Sequence, residues 1–420
     1  MCSLPTSRTD MDAHPSPALS GARRRGGFSL VELMVSVVIG LLALVFATRL
    51  VVSGEQNKDA AVGGSDAMQN GMLALFSLGG DAADAGWGLN DTMLSGCDTV
   101  FSDANGYQLA AEQRGGAPIT PLAPVVIQSN GADSDVVSFY SGTSQTGVGS
   151  TKLVANYVPG ESTLTIDSRN PYDFNVGDVL VVAPMTSGAR RCTVFQLSGF
   201  GIGLNGNQLQ VASGVDFPFN PQAGLTTAYP LNVSYVYNLG SAARLHFHTW
   251  SVNNGILLLR STDMPGSARQ GASVIDNVVS LKAQYGFDNR AVAEYDPNTP
   301  GNGAAQVSTA SGMRIGVWSS TMIDADNDGV VGGAGDYQRI GSVRLAVVAR
   351  SKSAEKPNSA GQCGATTALP TVFAGNAPAT VAAAPVQVNV AVAGDAIDWK
   401  CYRYRVFETI VPIRNAQWRP

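Results

Sequence analysis

The chain has 420 residues, only 14% of them charged, with 47 glycines and a formal net charge of −5. That acidic balance excludes a nucleic-acid-binding surface, which would be basic. Sparse charge with frequent glycine and Val/Thr/Ser-rich segments suits an extracellular β-rich domain, and the lack of a G-x-S-x-G elbow, a phosphate-binding glycine loop before a helix or an H-E-x-x-H motif points away from an enzyme.

The first 27 residues are rich in Ser, Pro, Ala and Gly, show no apolar periodicity and end in Arg23-Arg24-Arg25-Gly26-Gly27. An apolar run follows, from Phe28 to about Val52. As a helix it is about 37 Å long, enough to span a hydrocarbon core of about 30 Å. The arginines ahead of it orient the N-terminus to the cytoplasm and the remainder outside. Two charges interrupt the run. Arg49 lies near the far end and can snorkel to the interface. Glu32 lies at the fifth position, where a carboxylate costs roughly 2.5–3.5 kcal/mol at a bilayer centre. No basic residue is near it within the run, so its partner must come from elsewhere. A secretory signal peptide fits poorly, because the small residues Gly26 and Gly27 precede the apolar run instead of following it.

Gly27-Phe28-Ser29-Leu30-Val31-Glu32 resembles the processing site of type IV prepilins and type II secretion pseudopilins. The resemblance implies that a membrane prepilin peptidase cuts between Gly27 and Phe28 and N-methylates Phe28. It also implies that Glu32 pairs with the amino terminus of a neighbouring subunit. The fold it implies is α+β and pilin-like, a long N-terminal α-helix followed by a large, mainly antiparallel β head. The divisions are a leader (1–27), the transmembrane and assembly half of the helix (28–52), its periplasmic half (53–85) and the head (86–420). Such a subunit is a single-pass inner-membrane protein with its head in the periplasm, which then enters an extracellular pilus.

Beyond the run, Met68, Met72, Leu73, Leu75, Phe76 and Leu78 continue a partly helical apolar pattern, expected to end near Gly79. Gly63-Gly64, Gly71 and Gly79-Gly80 weaken it, which leaves open a break near Gly63. From about Pro118 the chain reads as strands: Val125–Ile127, Val136–Tyr140, Leu164–Ile166, Val179–Val182, Val233–Tyr237, Leu245–Val252, Ile256–Leu259, Val274–Tyr285, Val343–Ala349 and Tyr402–Val411. Asn253-Asn254-Gly255 between two of these is a hairpin signal. His246-Phe247-His248 puts two imidazoles on one strand face; with no third ligand in sequence reach they read as solvated polar residues.

Cys2 belongs to the leader. Cys97, Cys192, Cys363 and Cys401 remain, an even number facing an oxidising compartment and without a C-x-x-C spacing. Of three pairings, Cys97–Cys192 with Cys363–Cys401 keeps each bridge within one half of the head. Asp324-Ala325-Asp326-Asn327-Asp328-Gly329-Val330-Val331 matches the first half of a calcium loop, with oxygen ligands at positions 1, 3 and 5, Gly at 6 and an apolar residue at 8. Position 12 is Gly335, and the next acid, Asp336, comes one residue late. The stretch reads equally as a solvated acidic turn or as a Ca²⁺ site using Asp324, Asp326, Asp328 and Asp336.

Val274–Asp288, Val343–Ser351 and Tyr404–Asn415 resemble recurring blocks of PilW-type minor pilins, whereas 100–240 resembles nothing we can place. This resemblance implies a minor pilin that primes type IV pilus assembly at or near the tip. Its implied partners are other minor pilins, the major pilin, the prepilin peptidase, the inner-membrane assembly platform and a large PilY-type tip adhesin. A J-like minor pseudopilin of a type II secretion system, or a tip adhesin, are the alternatives.

Overall fold

The computed structural model describes residues 29–89, 91–144, 150–167, 174–186, 188–202, 205–291 and 313–415. It divides into two compact units, one ending at Lys58 and the other running from Asp59. Gly27 and Phe28 lie outside the described residues. Helix α1 spans Leu30–Asp84. Its first 26 residues, Leu30–Glu55, are long and apolar enough to cross a membrane and are wholly exposed. The run contains no proline and is built from Leu, Val and Ala. The hydroxyls of Ser36, Thr48 and Ser53 donate back to the carbonyls of Leu33, Val45 and Leu50, so these three hydroxyls are satisfied within the helix, as a bilayer interior requires.

In the second unit α1 buries Ala67, Ala74, Leu78 and Ala82, a helical spacing of small residues and one leucine that lets the helix axis approach the sheets closely. Gly71 lies against the Phe407 ring, and Gly63 against Ser351. The helix does not stop near Gly79 but continues to Asp84. Leu78 and Ala82 pack into the main core on either side of Gly79-Gly80. Burying a leucine stabilises by roughly 1.5–3 kcal/mol, which offsets much of the penalty of about 1 kcal/mol for each glycine in a helix. At the C-terminus the Asn415 side-chain amide donates to the carbonyls of Ala83 and Asp84, groups a helix end leaves without partners.

Three sheets carry most of the head. A six-stranded sheet has the order Pro121–Leu122, Cys97–Val100, Cys192–Gln196, Asp178–Pro184, Ser234–Ser241, Ser150–Lys152. A five-stranded sheet runs Ala272–Asp276, Ile256–Ser261, His246–Asn253, Val136–Ser141, Val125–Gln128. A four-stranded sheet runs Val317–Ser319, Val278–Phe287, Ile340–Arg350, Tyr404–Pro412. Among the described residues the strand pairings of these three sheets are antiparallel except that of Cys97–Val100 with Cys192–Gln196. The Asn253–Gly255 hairpin forms as expected, with Asn254 and Gly255 at φ of 50° and 76°.

The expected single strand Val274–Tyr285 is two strands. Asn277 adopts φ 60°, a left-handed conformation that asparagine tolerates and that interrupts a strand. Ala272–Asp276 before it closes the edge of the five-stranded sheet, and Val278–Phe287 after it enters the four-stranded one. The near-continuous apolar run of Ile340–Arg350 also has a structural cause. Val343, Leu345 and Val347 enter the main core with α1. Ala346 and Val348 point the other way, into a second cluster with Val372, Phe373, Val388 and Val390. A strand covered on both faces loses its polar alternation. Cys97–Cys192 and Cys363–Cys401 are bonded, their Cα atoms 6.0 and 4.8 Å apart.

Candidate functional site

Glu32 stands in the first turn of α1, exposed among the apolar side chains of Leu30, Val31, Leu33 and Met34. Its position favours a negative charge through the helix dipole, an effect of only about 0.3–1 kcal/mol. That is less than the cost of holding a carboxylate in hydrocarbon, and no cation pairs with it among the described residues.

The acidic loop is built around Asp336. Its carboxylate is buried and accepts four backbone N–H bonds, from Ala325 (2.6 Å) and Asp326 (3.3 Å) on one oxygen and from Gly332 (2.8 Å) and Gly333 (3.0 Å) on the other. Asp336 is also the third residue of the short helix α2, Ala334–Gln338. Burial pushes its pKa up to about 6, against the pull of those amides. With its oxygens so engaged, Asp336 holds the loop's backbone and stands apart from the trio ahead of it. Asp324, Asp326 and Asp328 bring carboxylate oxygens within 4.8 Å of one another, roughly twice the 2.3–2.6 Å of a calcium–oxygen bond. Asn327 (φ 61°) and Gly329 (φ 87°) make the turns that converge them. Asp326 is raised by burial and by the charges of Asp328 and Asp324, a repulsion that a divalent cation would relieve. Gly335 lies so close to the Asp326 carboxylate that a β-carbon there would displace it. The trio could hold a metal ion, with Asp336 and Gly335 as its supports.

His246 and His248 are not the solvated pair their alternation suggests. Their rings stack with centroids 5.5 Å apart. The His248 side chain is only 13% exposed and lies between two carboxylates, with Nδ1 2.8 Å from Asp81 and Nε2 3.1 Å from Asp263. Trp250 Nε1 donates to the same Asp81 oxygen at 2.6 Å, and His246 reaches Asp263 at 3.4 Å. Burial would lower the His248 pKa, but the bonds and charges of Asp263 and Asp81 outweigh it and hold it up at about 9. Because Asp81 belongs to α1, this charged cluster fastens the helix segment to the five-stranded sheet. Sequence reading also misses Lys282, whose ammonium is 1% exposed and donates to the carbonyls of Gly131 (2.9 Å) and Asp133 (3.0 Å) and to the fully buried Asp135 carboxylate. A lysine between Leu281 and Ala283 in a strand without another charge was the available signal, since an unpaired charge cannot stay buried.

Residues 248–415 match the family described as type IV pilus-assembly protein W, and residues 22–48 match the prokaryotic N-terminal methylation motif. No curated protein matches the chain. The first match holds His248, Lys282, the acidic loop and the four-stranded sheet; the six-stranded sheet lies ahead of it.

Proposed function

We propose, for a chain that is a prepilin-like minor pilin of the PilW family, that it primes type IV pilus assembly and sits at or near the pilus tip. Before assembly it resides in the inner membrane through Leu30–Glu55, N-terminus inside and head in the periplasm. The prepilin peptidase cleaves between Gly27 and Phe28 and methylates Phe28, and Glu32 then pairs with the new amino terminus of an adjoining pilin. The observation that carries the reading is the exposed apolar helix with a single unpartnered carboxylate in its first turn, continuous with a large folded head. A transmembrane helix that acquires its charge partner only on meeting another subunit suits reversible storage followed by assembly. The acidic loop adds a Ca²⁺ site to the head in this proposal, since Asp336 and Gly335 hold the trio in place.

The test is complementation of a deletion strain. Wild type should restore surface pili, Gly27→Ala should accumulate as a product larger by the leader, and Glu32→Val should be cleaved but fail to restore pili. A gold label on the head should mark one end of each filament. Normal pili with Glu32→Val, or label along the whole shaft, would overturn the assignment.

A further inference from the structure

The strand Tyr404–Pro412 pairs with Ile340–Arg350 on one side and forms the edge of the four-stranded sheet. Two bonds at its ends fix which backbone groups are used. The Ser351 N–H donates to the Arg403 carbonyl at 2.8 Å, and the Ile413 N–H to the Gly341 carbonyl at 3.0 Å. The register between them is unbroken, and in an antiparallel ladder alternate residues bond the partner while those between turn away. The odd-numbered residues therefore bond inward. Tyr404, Val406, Glu408 and Ile410 turn both N–H and C=O to the open side, and Pro412 its C=O alone. A proline at that place removes no ladder bond, and it blunts one end of the edge only.

Helix α1 supplies a flank. Gly71 abuts the Phe407 ring, while the Asn70 side chain donates to the Asp276 carbonyl of the five-stranded sheet at 3.0 Å. At about 100° per residue, Met68, Met72 and Leu75 fall on the side of Gly71 away from Asn70, which is the Phe407 side. Met68 and Met72 are 51% and 55% exposed. The charge along the edge has one free sign. Arg405 and Arg414 are exposed and make no ion pair among the described residues. Glu408 is taken by Arg344 at 2.9 Å and by the Phe373 N–H at 2.6 Å.

We infer that this edge and its methionine flank are a docking site for an extended segment of another polypeptide, apolar at alternate positions and acidic at both ends, which adds as a further strand. Main-chain bonds to an open edge give such a segment its affinity, and alternate side chains give specificity. Methionines adapt to varied apolar partners, and the two arginines select acidic flanks. The inference needs only the unit from Asp59 onward and holds whether or not the pilus assignment does.

The test uses the full chain in detergent micelles and a fluorescent synthetic peptide of alternating Val and Thr flanked by paired Asp. Saturable binding is expected, with slowed hydrogen exchange over 404–412. Val406→Pro, which removes an outward N–H and spares the inward ladder, should weaken binding at least tenfold. Arg405→Glu with Arg414→Glu gives a second route that keeps the strand, and should reverse preference toward a Lys-flanked peptide. The inference is overturned by absent binding, by binding without protection of 404–412, or by equal affinity for both peptides. It is also overturned if the chain self-associates with increasing concentration and so blocks the peptide, which would assign the edge to a second copy.

Discussion

Replacing His248 by glutamine removes the one cation between Asp81 and Asp263 while keeping a polar side chain of similar reach. The imidazole has a pKa of about 9 in the folded protein against about 6.5 unfolded. At 1.36 kcal/mol per unit the difference is worth about 3 kcal/mol. Because the folded pKa is the higher one, this stability is fully present below about pH 6.5 and is lost as pH rises through about 9. Asp263, held down at about 2 despite its burial, is the other half of the same interaction. Its share is lost only below about pH 4 and is not added again. His246 and Ser261 also face Asp263, and Trp250 faces Asp81, so both carboxylates keep a partner in the variant and the cluster does not collapse. The assay is amide hydrogen exchange in the α1 segment 70–84, wild type against His248→Gln at the same pH, a comparison that cancels the intrinsic chemistry of exchange. Wild type should be protected about a hundredfold more at pH 6, and the two should converge near pH 9.5. A ratio that stays constant or widens toward alkaline pH would refute the charged-clamp argument.

Lys282→Met should destabilise the head by about 3–5 kcal/mol, because it leaves the Asp135 carboxylate buried without its cation; adding Asp135→Leu should recover most of the loss in chemical denaturation. Ca²⁺ should raise the thermal midpoint of the full chain, by an amount equivalent to about 2.7 kcal/mol at a hundredfold excess over Kd. Gly335→Ala, which pushes against Asp326, should abolish that rise, and a wild type indifferent to Ca²⁺ would dispose of the metal site. Gly71→Leu should force α1 off Phe407, costing about 1–3 kcal/mol as overpacking does, seen as earlier proteolysis within 59–84 and no change in leader cleavage.

Two kinds of information separate what sequence reading finds from what it misses. The apolar run, the hairpin at Asn254-Gly255 and the turn residues of the acidic loop are legible because their geometry is decided within a few residues by side-chain type. The pairings decided across the chain are not. His248 meets Asp81 from 167 positions away, and Lys282 meets Asp135 from 147. Even so, both leave half of their trace in the sequence. Asp81 falls on the helix face that also carries Ala74, Leu78 and Ala82, and Lys282 is the one charged residue of a fully buried strand; each is a charge whose burial is affordable only with a partner. Composition shows that such a partner must exist, and only the fold says which. Asn277 teaches the converse. Val274-Ile275 before it and Val278-Val279 after it favour a strand, so the run from Val274 reads as one, yet a single left-handed residue sends its two halves into different sheets. Glu32 belongs with the first group by its spacing and with the second by its chemistry. Among the described residues no cation pairs with it, and its pairing with an adjoining pilin is part of the function proposed above.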